Sequence, residues 1–517
     1  MLNLSVFLEE SAKRRANKEA IVFNDTRLTF AQLNGAANQV ANGLKKAGIQ
    51  KGDKVALSCL NIPYFPIVYY GILKAGAVVV PLNVLLKRRE IAYHLADSDA
   101  KAYFCFQGTP ELPMGEEGYA GFQQADKCEH FVMMTADPAG PSPIEGTTTL
   151  GMFMGAQPPT FPTVQTLPDD PAVILYTSGT TGQPKGAELC HFNMFSNAIG
   201  SANLFHGTSD DVGLIVLPLF HSFGQTVQMN ANVYLGATSV LLPRFTPDAV
   251  LGLMQNEGVS IFAGVPTMYW ALLHYPDADK FDLDKISNTL RVAASGGAAL
   301  PVEVLKEFEK KFDVPILEGY GLSETSPVAS FNQMEYERKP GSIGLPIWGV
   351  EMKVVDADDK ELPPGEAGEI VIRGHNVMNG YYNRPEVNKE VMRGGWFHTG
   401  DVGQTDEDGY FYIVDRIKDM IIRGGFNVYP REIEEVLLTH PAISLAAVIG
   451  VPHGQHGEEI KAFVVLKAGA EAAPEEIVAW SKENMAAYKY PRLVEIRETL
   501  PMNATGKILK TNLRADG

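Results

Sequence analysis

Tyr176–Gly186 reads YTSGTTGQPKG and directly follows the apolar run Ala172–Leu175. An apolar run of that length bounded by a glycine-rich turn reads as a buried strand. The loop after it holds three glycines, three threonines and one serine. The glycines leave backbone N–H groups uncovered, the hydroxyls add donors, and Lys185 adds a cation on a long arm. Such a loop can wrap a polyphosphate. It is not a Walker loop, because Pro184 stands five positions after Gly179 where GxxxxGK[ST] needs the lysine's glycine; the kinase GxGxxG is absent too. In isolation a short turn of this kind is a surface loop; its length and composition point to phosphate.

Outward from the loop, Lys54–Cys59, Pro63–Lys74 and Ala77–Pro81 read as strand, helix and strand, a βαβ unit that predicts a parallel sheet. Strands are expected again at Val212–Pro218, Thr238–Leu242, Ser260–Ala263, Thr289–Ala294 and Val314–Glu318, so the architecture is α/β on a large scale. Gly108–Pro171, rich in Gly, Pro, Thr and Ser, is expected to be a long surface excursion. Gly341–Arg416 turns to short strands (MKVVD, EIVIRG, GYFYIVDR), a β-rich subdomain. The last hundred residues carry their own α+β pattern. This places a domain boundary near Arg416–Lys418 and divides the chain into 1–416 and 417–517.

A chain of 517 residues is long enough for several units at about 150 residues each. Its net charge of −17 without a dense basic block excludes general nucleic-acid binding. Cys59, Cys105, Cys128 and Cys190 form no CxxC pair, which excludes a disulfide scaffold or cysteine zinc ribbon and fits a reducing compartment. The start, MLNLSVFLEE, has no basic n-region, so no signal peptide is expected. Tyr64–Leu86 is the most apolar stretch, but Lys74, Gly76 and Pro81 interrupt it, so no transmembrane segment is expected and the cytoplasm is the expected location.

YTSGTTGQPKG resembles the phosphate loop of the superfamily of adenylate-forming enzymes: acyl-CoA synthetases, peptide-synthetase adenylation domains and beetle luciferases. The resemblance covers nearly the whole chain. Leu28–Leu33 (LTFAQL), Leu73–Pro81 (LKAGAVVVP), Pro218–His221 (PLFH), Gly319–Thr325 (GYGLSET), His398–Gly403 (HTGDVG), Asp415–Glu434 and Pro501–Lys510 (PMNATGKILK) follow in the family's order. It implies a large N-terminal domain of two α/β sheet subdomains plus the β-rich subdomain, and a small mobile α+β C-terminal domain. It also implies ATP, Mg2+ and coenzyme A as cofactors, with a small carboxylic acid as substrate. A homodimer is compatible with it.

The chemistry behind the resemblance is electrostatic. A carboxylate is a poor electrophile, and coupling it to AMP creates a leaving group. It must attack an α-phosphorus ringed by negative oxygens, so the site has to neutralise charge and hold two anions in line. Tyr320 offers a flat ring for adenine, and Gly319 and Gly321 are expected to let backbone approach the ligand. By resemblance, Glu318 lies near the adenine amino group. Thr177, Ser178, Gly179, Thr180, Thr181, Gly182 and Lys185 hold phosphates, and Thr325 supplies an α-phosphate hydroxyl. Gly297 and Ala298 join the nucleotide contacts. Glu324 is the Mg2+ candidate, with Thr177 beside it. Asp401, whose two oxygens match a vicinal diol, resembles the ribose acceptor, with Arg416 as the second ribose contact. Lys507 resembles the lysine that reaches from the small domain to the α-phosphate and carboxylate; Lys510 lacks the adjacent glycine. Lys418 matches the hinge, and Gly424 and Gly425 match the loop lining the pantetheine tunnel.

On the acyl side, His221 lies at the gate string, beside the substrate carboxylate or the thiol path by resemblance; a satisfied core histidine is the alternative. Gly296 and Gly297 are expected in the pocket floor, where absent side chains leave room for an elongated chain. NVMNGYYNRPE with KDMIIRGGFNVYPREIEEVL looks most like bacterial fatty-acyl ligases. Aryl-CoA ligases of the benzoate or cinnamate type, an acyl-AMP ligase loading a carrier protein, a luciferase-like oxidation and a non-catalytic nucleotide binder are the competing readings. Two departures stand out. Cys190 replaces the usual Ser or Thr before the histidine, with little effect expected. VPHGQHGEE carries His453 after the proline where many relatives carry Asp; His453 and His456 could suggest a metal pair, but without HExxH none is expected. No carrier segment follows Gly517, so a free-standing enzyme is expected.

Overall fold

The computed structural model describes residues 1–177, 183–416, 419–423, 426–453, 456–504 and 506–515. The strand ahead of the loop, Pro171–Thr177, is buried from Ala172 to Leu175. It lies in an eight-stranded sheet between Val78–Pro81, parallel to it, and Lys185–Cys190, antiparallel to it. Thr177 pairs with Lys185, so the two strands form the stem of a hairpin on either side of residues 178–182. Lys54–Ser58 and Ala100–Phe106 continue the sheet in parallel, as the βαβ reading requires.

Gly108–Pro171 is not one surface excursion. Met114–Phe122 is helical, and His130–Met134 adds a parallel strand beside Ala100–Phe106. Leu150–Gly155 forms a further short helix. Phe131–Met134 is continuously buried: a buried parallel strand is apolar on both faces, and its short run was hidden among glycines and prolines.

A nine-stranded sheet forms the second layer. Its parallel core runs Ile316–Gly321, Val292–Ser295, Ile261–Gly264, Val212–Ile215, Thr238–Leu241 and Glu19–Phe23. Thr289 ends a helix, Leu283–Thr289, rather than starting the strand expected there. Pro218–His221, Val265, Gly296–Gly297 and Glu318–Gly321 thus gather at the carboxyl ends of neighbouring strands, where open α/β sheets bind ligands. Val350–Val355, Gly368–Gly374, Phe397–Thr405 and Phe411–Arg416 make the antiparallel β-rich sheet. The C-terminal unit has its own sheet and its own core, including Ile421, Ile433, Val448, Ile460 and Ile477. No helix among the described residues is long and apolar enough to cross a membrane.

Two of the motif strings are scaffold. Thr29 in LTFAQL caps Phe30–Lys46: its Oγ accepts from Gln32 N at 3.2 Å, and Gln32 Oε1 accepts from Thr29 N at 2.9 Å, a capping box. Lys74 in LKAGAVVVP is 1% exposed and pairs with Glu9 at 2.7 Å. Cys190 does the work of the usual hydroxyl: its Sγ accepts from Asn193 N at 3.4 Å and caps His191–Leu204.

His191 is 0% exposed, and its Nδ1 accepts the Leu4 N–H at 3.1 Å. Burial pushes its pKa down to about 4, against about 6.5 in an unfolded chain. The folded state therefore holds fewer protons, and this contribution is full above pH 6.5 and lost as pH falls through 4, about 3 kcal/mol in all. Thermal unfolding measured from pH 7 to 4 is expected to show a falling midpoint, and His191→Asn a flatter profile. An unchanged slope in that variant would remove His191 as a cause.

Candidate active site

The stem of the phosphate hairpin is pinned at both sides. Tyr176 donates its hydroxyl to Asp97 at 2.8 Å, and Tyr93 donates to the Pro184 carbonyl at 2.8 Å. Both partners lie on Arg88–Asp97, and Arg384 pairs with the same Asp97. Thr177 and Lys185 are half-buried. Ser178, Gly179, Thr180, Thr181 and Gly182 lie outside the described residues, as do Lys418, Gly424 and Gly425.

From Lys185 the site continues through a residue that the motif reading passed over. The Lys185 ammonium sits 5.3 Å from the ring centre of Tyr381, and the Tyr381 hydroxyl donates to Glu324 Oε1 at 2.7 Å. Its signal in the sequence was the string GYYNR, quoted only for overall likeness. Glu324 is 7% exposed in the short turn Ser323–Thr325. Its carboxylate suits Mg2+, which takes few protein oxygens and leans on phosphates; among the described residues no cluster of three or more His, Cys, Asp or Glu gathers to hold a metal otherwise.

Thr325 departs from expectation. It is fully buried, and its hydroxyl donates to the Pro327 carbonyl at 2.5 Å and accepts from Leu322 N at 2.9 Å. It closes its own turn and offers nothing to a phosphate. Ser323, half-buried on the other side of Glu324, is the hydroxyl left at the cleft. Gly319 and Gly321 also serve packing. A Cβ on Gly319 would lie 2.0 Å from the Phe331 ring, and one on Gly321 1.9 Å from the Pro327 carbonyl.

Tyr320 donates its hydroxyl to Asp401 Oδ2 at 2.6 Å, so the expected adenine platform and ribose acceptor are joined. Asp401 is 4% exposed and stands opposite Arg416 across a strand pair. Glu318 is buried, which pushes its carboxyl up to about 7; the N–H groups of Gly341 (2.9 Å) and Leu300 and the Arg431 guanidinium of the C-terminal unit pull the other way. Gly297, with φ +78°, and Ala298 are exposed at the mouth, while Gly296 packs on the Phe223 ring.

Lys507 arrives from the other side. Asn503 Oδ1 accepts from Lys507 N and the Lys507 carbonyl accepts from Asn503 N, both at 2.9 Å, and Met502 bridges Ile508. This tight hairpin docks where Thr267 donates to the Gly506 carbonyl at 3.1 Å. Desolvation, and second the Lys507 ammonium, push His221 down to about 4, so the imidazole is neutral at pH 7, with Nδ1 accepting from Phe223 N at 3.3 Å. Lys510 instead pairs with Glu434 at 2.7 Å within the C-terminal unit. His453 and His456 stack ring on ring, 5.1 Å apart.

Gly506 has φ +80°, and a Cβ there would meet Thr267 Oγ at 2.8 Å and Val265 Cγ2 at 3.0 Å. Gly506→Ala is therefore expected to displace the Lys507 hairpin and cut acid-dependent ATP–pyrophosphate exchange about 10-fold, the left-handed backbone alone costing about 1 kcal/mol. Exchange kinetics check it; a wild-type rate would mean that the docked hairpin is not needed.

The chain is matched by the model of the AMP-binding enzyme family over residues 8–382, and by that of the AMP-binding enzyme C-terminal domain over 432–507. It is 38% identical to a long-chain-fatty-acid–CoA ligase of Bacillus subtilis (strain 168), covering 99% of this chain and 94% of that one. It is 36% identical to a feruloyl-CoA synthase of Amycolatopsis sp, with 97% and 96% covered. Among solved structures, ATP-bound MatB from Rhodopseudomonas palustris superimposes with a TM-score of 0.91 at 34% identity, over 100% of this chain and 99% of that one.

Proposed function

The chain belongs to the AMP-binding enzyme family and is an AMP-forming acyl-CoA ligase using ATP, Mg2+ and coenzyme A, and on that premise we propose that its acid is a medium- or long-chain fatty acid. A carboxylate oxygen bonds to the α-phosphorus as pyrophosphate leaves; the thiol sulfur of coenzyme A then bonds to the acyl carbon as AMP leaves. The observation that carries the division of labour is the docking of the Lys507 hairpin of the C-terminal unit at the sheet's carboxyl edge, where Thr267 donates to the Gly506 carbonyl at 3.1 Å and the Lys507 charge is felt at His221. A cation there meets negative charge shared between carboxylate and phosphate in the transition state. Lys185 would neutralise the outgoing phosphates, Asp401 and Arg416 would hold the ribose, and Tyr320 would hold the adenine. Glu324 with Thr177 would hold Mg2+, which when bound supplies charge neutralisation at the phosphates. The C-terminal unit, residues 417–517, would turn about Lys418 to bring Gly424 and Gly425 to the thiol arm. Buried free cysteines and the use of ATP and coenzyme A support a cytoplasmic location.

Support for an aliphatic chain is the 38% identity, over 99% of this chain, to a long-chain-fatty-acid–CoA ligase. Phe223–Asn230, just after the gate string, is a π-helical stretch of the kind that often marks functional sites. A second reading, a ring-hydroxylated aromatic acid, is favoured by Ser222 Oγ, Gln225 Oε1, Gln228 Oε1 and Ser295 Oγ. These four buried atoms have no partner among the described residues, and a substrate hydroxyl would satisfy one of them. Initial rates over fatty acids of graded length, benzoates and hydroxycinnamates, each with free coenzyme A or a phosphopantetheinylated carrier protein, decide. Rates that climb with chain length at about 0.8 kcal/mol per buried methylene support the first reading; preference for hydroxycinnamates replaces it, and preference for the carrier replaces the acceptor.

A further inference from the structure

Besides the Arg384–Asp97 pair, the segment Gly380–Arg384 touches the hairpin at Lys185 and the Glu324 carboxylate at once. Its backbone is locked. Gly380 and Tyr381 pair as a third strand with Glu188 and Ala187, just beyond Lys185, and Tyr382 N donates to the Gly186 carbonyl at 2.8 Å. Asn388 closes on Tyr381 from behind: its Oδ1 accepts from Tyr381 N at 2.7 Å, and its Nδ2 donates to the Tyr381 carbonyl at 3.0 Å. A side chain on so fixed a backbone has little room to yield.

Resting on the reading of Glu324 as the metal carboxylate and Lys185 as a phosphate cation, we infer that Tyr381 is a positioning residue that keeps these two opposite charges apart and aimed at different parts of the nucleotide. Its hydroxyl donates to Glu324 Oε1, occupying one carboxylate oxygen and leaving Oε2 for a metal ion. Its ring gives the Lys185 ammonium a neutral surface to rest on. The carboxylate at the ring's hydroxyl end and the ammonium over its face attract each other. With the ring gone they collapse into an ion pair, so that the lysine is lost to the phosphates and the carboxylate to the metal.

Tyr381→Phe keeps the ring and removes only the hydroxyl. It is expected to raise the Mg2+ concentration for half-maximal pyrophosphate exchange about 10-fold, the usual loss when a partner of a metal ligand is removed. Calorimetric affinity for ATP in EDTA should stay at the wild-type value. Tyr381→Leu removes the spacer as well and is expected to weaken metal-free ATP about 10-fold through loss of the Lys185 contact, a charge-assisted bond. Adding Glu324→Gln to Tyr381→Leu should restore metal-free ATP affinity, because the amide no longer captures the lysine. A merely structural tyrosine would lower the thermal midpoint without this split or this rescue. Unchanged Mg2+ dependence in Tyr381→Phe, or no rescue by Glu324→Gln, overturns the inference. Should the leucine variants not fold, the phenylalanine variant carries the test on its own. If the wild-type enzyme showed no acid-dependent exchange with any acid, the functional reading would fail instead.

Discussion

Lys507→Ala is expected to lower acid-dependent ATP–pyrophosphate exchange by about 10²–10³-fold, the usual cost of removing one preorganised group facing transition-state charge. Thioester formation from supplied acyl-AMP should stay near the wild-type rate, because by then the phosphorus chemistry is over. The substitution is a clean one. Asn503 grips the backbone of residue 507 rather than its side chain, and Thr267 holds the Gly506 carbonyl, so the hairpin has its anchors without the ammonium. A second readout needs no turnover. The ammonium is one of the two causes that depress His221, so its removal should let the imidazole titrate upward from about 4, visible by NMR of the ring protons. Equal loss of both half-reactions with the fold intact would break the assignment of Lys507 to the first step.

Asp401→Ala should raise KM for ATP by about 10²–10³-fold, the worth of two hydrogen bonds to a charged group. Asp401 is 4% exposed, so its oxygens work away from bulk water. Wild-type enzyme should prefer ATP to 2′-deoxyATP, and the variant should lose that preference, since the group that counts the hydroxyls is gone. Tyr320→Phe separates the two partners of the 2.6 Å contact. It keeps the ring and removes one hydrogen bond from the carboxylate, so a small change in KM with the preference intact is expected. Full discrimination against 2′-deoxyATP in Asp401→Ala would move the ribose site elsewhere.

The residues that stood out in the sequence were those whose expected chemistry needs a particular side chain in a particular string: Asp401, Glu324, Lys507 and the hairpin around Lys185. What escaped was contact made through the fold. Tyr381 is 57 residues from Glu324 along the chain, and no local pattern announces that pairing. The same limit explains Thr325: two hydroxyls flank Glu324, and only the turn decides that one of them is swallowed by the Pro327 carbonyl. Gly319 and Gly321, read as clearance for a ligand, also give clearance to Phe331 and Pro327, since a missing side chain records that space is needed without saying who fills it. His130–Met134 was overlooked because a five-residue strand carries too little periodicity to stand out from turn-rich neighbours.

All four thiols are buried, and all lie between Cys59 and Cys190 in the first lobe. A spectroscopist inherits from this a nearly silent background. Maleimide dyes offered to the native enzyme should find nothing to react with quickly, and the last 327 positions of the chain contribute no sulfhydryl at all. One engineered handle, such as Lys482→Cys on the outer helix of the tail unit, would then take a fluorophore alone. Any swing of that unit during turnover could be followed without first stripping the native cysteines, including the one whose sulfur begins a helix.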